Sequence, residues 1–131
     1  MIPSKDRDVL CKLVEEQAQV AALPVHREKA ELWRRLNDLE PVRPLVWINE
    51  IPWHEMNVGD ELTLRCTTPW TRDVEQRLRR TLYQWRHMPG DMVVEPAFSC
   101  PPVVHDTGLG LDEDVDIVRT DDRNDVVSRR F

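Results

Sequence analysis

The chain has 131 residues, of which 40% are hydrophobic and 32% charged, and it carries a formal net charge of −6 at pH 7. That balance describes a soluble globular chain with one modest core and excludes a disordered polymer. It contains no apolar run near the ~20 residues of a membrane span, and its acidic total argues against nucleic acid, which demands a basic face. Neither nucleic acid nor a membrane is therefore expected as a partner. The start, Met-Ile-Pro-Ser-Lys-Asp-Arg-Asp, lacks the basic and apolar regions of a signal peptide. Cys11, Cys66 and Cys100 are odd in number and widely spaced, which fits a reducing compartment and predicts a cytoplasmic location.

Residues 4 to 22 predict an amphipathic helix. Ser4 is placed to cap it, and Val9, Leu10, Leu13, Val14, Gln17, Ala18 and Ala21 repeat at helical spacing until Pro24 ends it. A second helix is predicted over 26–39, with Ala30, Trp33, Leu36 and Leu39 on one side. Residues 1–42 thus form a helical lead-in. Pro41 and Pro44 stop the helix and deliver the chain to Leu-Val-Trp-Ile (45–48), an apolar run of the kind found in a strand buried on both faces.

Residues 57–60 read as a turn, and Glu61 to Cys66 alternate as a half-exposed strand would. Thr68-Pro69 then starts a helix, a capping hydroxyl followed by proline in the first turn. Val74, Leu78, Leu82 and Trp85 make its inward stripe, with Arg72, Arg77, Arg79, Arg80 and Arg86 mostly off it. Pro89-Gly90 stops this helix before a second buried strand at 91–95. Strand, helix and strand in that order predict a βαβ unit with a parallel sheet and right-handed crossover, an α/β fold. Residues 96–114 read as loop, and 115–119 with 126–130 as a β-hairpin around a polar turn. So short a sheet has unpaired edges and too few helices to cover both faces. Residues 43–131 thus read as the beginning of something larger, completed by further polypeptide or a second copy, or as a non-enzymatic module that completes its sheet with a partner chain.

Buried strands that discharge polar residues at their C-terminal ends are where α/β enzymes build sites. Glu50 and Glu95 each end such a strand. They are candidate catalytic carboxylates, able to bind a cation or act as acid and base, and equally able to cap helices or pair with nearby arginines. Trp47, Asn49, Trp53 and Glu55 supply aromatic and polar surface for a substrate. His54 is a candidate acid/base or metal ligand, or a structural hydrogen-bonding residue. No second histidine follows it at HExxH spacing, and the chain has no glycine-rich phosphate loop and no nucleophile elbow. Cys100 and His105 are two soft-metal ligands where zinc wants three or four. A metal-binding domain would need Cys66 and His54 as well, so no metal ligand is assigned. The arginine-rich 72–86 and acidic 106–125 read as solvated surfaces, or as contacts to a partner or to each other.

Residues 43–56 (RPLVWINEIPWHEM), 78–88 (LRRTLYQWRHM), 91–96 (DMVVEP) and the lead-in 21–39 resemble the N-terminal part of the uroporphyrinogen decarboxylase-like superfamily. The likeness is to its bacterial branch related to corrinoid-dependent methyltransferases. It implies a (β/α)8 TIM-type barrel of which this chain is an N-terminal fragment, with the helical lead-in, the first βαβ unit and a hairpin insertion. The resemblance further implies methyl transfer with a corrinoid protein, zinc and corrinoid as cofactors of the intact protein, and little activity for the segment alone. The decarboxylase proper holds substrate carboxylates with arginines, whereas Glu50 stands at the first strand end here, a departure that weighs against tetrapyrrole decarboxylation.

Overall fold

In a computed structural model of the chain, the described residues are 2–99, 116–119 and 126–130. Contacts divide the chain into two units, Met1–Phe98 and Ser99–Phe131. The first unit is built from helices: α1 (Ser4–Ala21), α2 (Pro24–Asn37), the single turn α3 (Trp53–Met56) and α4 (Pro69–His87). In the second, β1 (Asp116–Arg119) and β2 (Val126–Arg130) pair antiparallel, with Asp116 opposite Arg130 and a register shift between Val118 and Arg119.

The helix limits follow local chemistry. Pro3 stands before α1, where Ser4 was expected to cap; Ser4 is instead the first helical residue, and no side chain caps this end. Pro24 does not merely end α1 but opens α2, because a proline needs no hydrogen-bond acceptor in a first turn. Leu39, with φ of 62°, closes the exit from α2 in the left-handed region. Thr68 caps α4 reciprocally with Thr71: each side chain takes the other's backbone N–H.

α1 packs against α4. Leu10 and Leu13 from α1 meet Val74, Leu78 and Leu82 from α4, together with Cys66, and Val9, Val20 and Phe98 close the edges. Each of these buried leucines contributes about 1.5–3 kcal/mol by leaving water.

The expected α/β architecture is overturned. No strand forms at 45–48, 61–66 or 91–95, so residues 43–98 hold neither a βαβ unit nor the start of a (β/α)8 barrel, and the hairpin is not an insertion in one. The reason lies in where the backbone hydrogen bonds go. Arg65 and Cys66 donate their N–H groups to the Glu75 carboxylate, and Thr67 donates its own to Asp6. The Ile48 carbonyl accepts from Gln84, Gly90 from Lys29, Asp91 from Trp33 and Glu95 from Gln17, while Val94 N–H donates to His26 Nδ1. Helix side chains thus occupy groups that a sheet ladder would use. Between 45–48 and 91–95 one backbone pair survives, Asp91 N–H to the Val46 carbonyl at 2.8 Å. The unpaired sheet edges that a partner chain was expected to complete are absent from residues 2–99 as well.

Candidate ligand-binding groove

Residues 89–97 follow α4, begin with a turn closed by Met92 N–H on the Pro89 carbonyl, and are bonded by side chains of α1 and α2; Asp91 fixes where they lie. Its carboxylate accepts two bonds from Arg43, at 3.0 and 2.5 Å, and one from Val46 N–H at 2.8 Å. The paired Arg43 guanidinium, helped by the Val46 amide, holds the Asp91 carboxyl down at about 2. Gly90 makes the approach possible: at φ of +47°, a side-chain Cβ there would lie 2.8 Å from the Val46 carbonyl oxygen.

This arrangement opens a groove of about 790 Å³. Trp33 forms one wall, its indole N–H anchored on the Asp91 carbonyl at 2.8 Å. Val93, Val94 and Ala97 continue the apolar lining, and Gln17 and Thr81 add hydrogen-bonding groups. Trp47 stands at the lip, 57% exposed, and Glu95 supplies the one carboxylate of the lining. Behind Val94 sits His26, buried and tilted against Trp85 at 4.6 Å between ring centroids. Burial first, and then the nearby Lys29 charge, push its pKa down, so the ring is held neutral. Its Nδ1 accepts from Val94, which places the ring proton on Nε2, and Nε2 has no partner among the described residues.

Of the residues singled out from the sequence, the groove brings together Trp47 and Glu95. Asn49 and Glu50 are exposed and do not line it. With no strands present, Glu50 and Glu95 are not a pair at one sheet edge. Trp53, His54 and Glu55 form the α3 turn. Trp53 meets Tyr83 edge-on at 6.2 Å and lies 5.1 Å beneath the Arg80 guanidinium, while His54 Nε2 is 3.4 Å from Glu55 Oε1.

The described residues do not suit zinc. No group of three or more His, Cys, Asp or Glu side chains gathers among them. Cys66 is buried with its thiol directed at the Asp6 carbonyl, and burial, reinforced by Glu75 and Asp6, pushes that thiol up to about 11; a ligand needs the thiolate. Cys100 and His105 lie outside the described residues, as do residues 100–114 of the loop predicted over 96–114. Among the described residues, no helix is long and apolar enough to cross a membrane.

Sequence reasoning missed Asp6, His26, Thr71, Glu75 and Asp91, the buried polar residues among those described. Only Glu75 carried a local signal, its i, i+4 spacing to Arg79. Comparison of the chain with known protein families, curated proteins and solved structures finds no match.

Proposed function

We propose that this chain is a ligand-binding module of a methyl-transferring protein of the uroporphyrinogen decarboxylase-like kind, working in the cytoplasm with a corrinoid and further polypeptide, and inactive alone. One observation carries the reading: Trp47, from the string 43–56, and Glu95, from the string 91–96, line the same groove. Two of the stretches that carry the resemblance thus contribute to one concave surface. Its volume of about 790 Å³ lies in the range of small-molecule sites, and its mix of apolar walls with a few polar groups is typical of them.

The two indoles and the valines offer apolar surface, which suits the face of a corrin ring. Gln17, Thr81 and Glu95 are able to hydrogen-bond the amides that such a ring carries at its edge. When bound, a corrinoid supplies the methyl-carrying chemistry; the residues of this chain supply orientation and shield one side from water. Glu50 and the His54–Glu55 pair lie outside the groove, so on this reading any catalytic part they play is confined to the assembled protein.

Calorimetric titration of the chain with methylcobalamin tests the proposal. Saturable binding is expected, weakened about tenfold by Trp47→Ala, a loss of ~1.4 kcal/mol, with the melting temperature unchanged because Trp47 is an exposed lip residue. No binding, or equal affinity in the variant, would remove the groove from this role.

A further inference from the structure

A second groove, of about 470 Å³, has a different character. Lys5, Asp8, Val9 and Lys12 line it from one face of α1, at i, i+3, i+4 and i+7, and Arg65 and Arg79 face them. In a chain of net charge −6, four cations against one lining carboxylate is a local reversal of sign. Arg79 is preorganised. It is 12% exposed, its Nε donates to Glu75 at 2.8 Å and its Nη1 to the Glu61 carbonyl at 2.9 Å. Lys5 and Lys12 have no ion-pair partner among the described residues, and Arg65 reaches Asp60 only at the outer limit of 4.0 Å. Val9 and Leu13 give the groove an apolar floor.

We propose that this groove binds the phosphate group of a small phosphorylated molecule. Glu75, already engaged by Arg79, and Asp8 together offset part of the positive charge. The positive excess that remains is close in magnitude, and opposite in sign, to the charge of about −1.5 to −2 on a phosphate monoester near neutral pH. Guanidinium groups meet phosphate oxygens through paired N–H donors, and the two lysines add mobile point charges. The apolar floor accommodates the carbon portion of the ester.

The test is titration of the whole chain with glycerol 2-phosphate and with inorganic phosphate, read by calorimetry and by melting temperature, against sodium chloride of equal ionic strength. Saturable binding of the ester is expected, weakened about tenfold or more in Lys5→Gln/Lys12→Gln. Both lysines are exposed, so the free variant should melt as the parent does; Arg65→Gln provides an independent variant that leaves the Glu75–Arg79 pair in place. A stabilisation that chloride reproduces, or an affinity unchanged in both variants, would overturn the proposal. So would association with phosphatidic acid vesicles in the absence of binding to the soluble ester.

Discussion

Asp6 in the first turn of α1 accepts a 2.6 Å hydrogen bond from Thr71 Oγ1 in the first turn of α4, 65 positions later in the chain. The same carboxylate takes Thr67 N–H at 2.9 Å and Thr68 N–H at 3.2 Å. A charged side chain of one helix thus satisfies donors at the start of another, where the helix dipole also favours negative charge. The contact ties α1 to α4 and holds residues 66–68 against α1, with Cys66 in the core, so the apolar core and this polar link support each other.

The link predicts acid sensitivity. The Thr71 hydroxyl, with the Thr67 and Thr68 amides, lowers Asp6 from an ordinary 3.8 to about 2, and Arg43 does the same for Asp91. Because both pKa values are depressed on folding, the unfolded chain takes up protons first as pH falls. The stability these groups contribute should be complete above about pH 4 and lost between about pH 4 and 2. Urea midpoints measured across that window should fall more steeply in the parent than in Asp6→Asn or Asp91→Asn. Parallel curves for parent and variants would show that neither carboxylate is ionised by its partners.

A second buried carboxylate makes a sharper prediction about packing. Glu75 is fully buried and accepts from Arg65 N–H, Cys66 N–H and Arg79 Nε, each at 2.8 Å. Burial by itself would raise its pKa, yet those donors hold it below the ordinary value. Glu75→Ala leaves two amides and a mostly covered guanidinium without their acceptor. It should cost ~3 kcal/mol or more, visible as a lower denaturant midpoint. Arg79→Ala should be similarly harmful, and the double variant less than additive, since each single change leaves the other charge unpaired.

These polar links explain what the sequence did and did not disclose. Val74, Leu78 and Leu82 were readable as the inward face of α4 because helical periodicity is local, and Thr68-Pro69 announced the start of that helix. Leu45–Ile48 and Met92–Val94 were equally apolar, and an apolar run read alone cannot say whether its amides meet another strand or a side chain. Here His26, Trp33, Gln17 and Gln84, all distant in sequence, meet the groups of those segments. Trp47 and Glu95, which share the groove lining, were named from the sequence because Trp47 lies within the first apolar run and Glu95 ends the second, although the strands expected there do not form. Trp33 resembled an ordinary core position, and its place in the groove depends on Asp91.

Gly90 tests the geometry on which the groove depends. Gly90→Ala demands a left-handed conformation from a residue with a side chain and drives a Cβ to 2.8 Å from the Val46 carbonyl. A loss of ~2 kcal/mol is expected, the cost of the unfavourable φ plus displacement of Val46. Because Trp47 follows Val46, its fluorescence should shift as well. A variant as stable as the parent would mean that the 44–48 and 89–92 segments are not held together as described.

The two described thiols should differ in reactivity. Cys11 is exposed on α1, whereas Cys66 is buried and its thiol is pushed up to about 11, first by burial and then by the Glu75 and Asp6 carboxylates. At pH 8 roughly a thousandth of Cys66 would be thiolate even if reagent could reach it, and the thiolate is the nucleophile. Iodoacetamide applied to the folded protein should therefore alkylate Cys11 and leave Cys66 unmodified until urea is added, as followed by peptide mass spectrometry. Asp6→Asn removes one of the charges that disfavour the Cys66 thiolate and loosens its cover, so labelling of Cys66 should accelerate in that variant. Alkylation of Cys66 as fast as Cys11 in the folded parent would place this thiol at the surface and dissolve the α1–α4 core built around it.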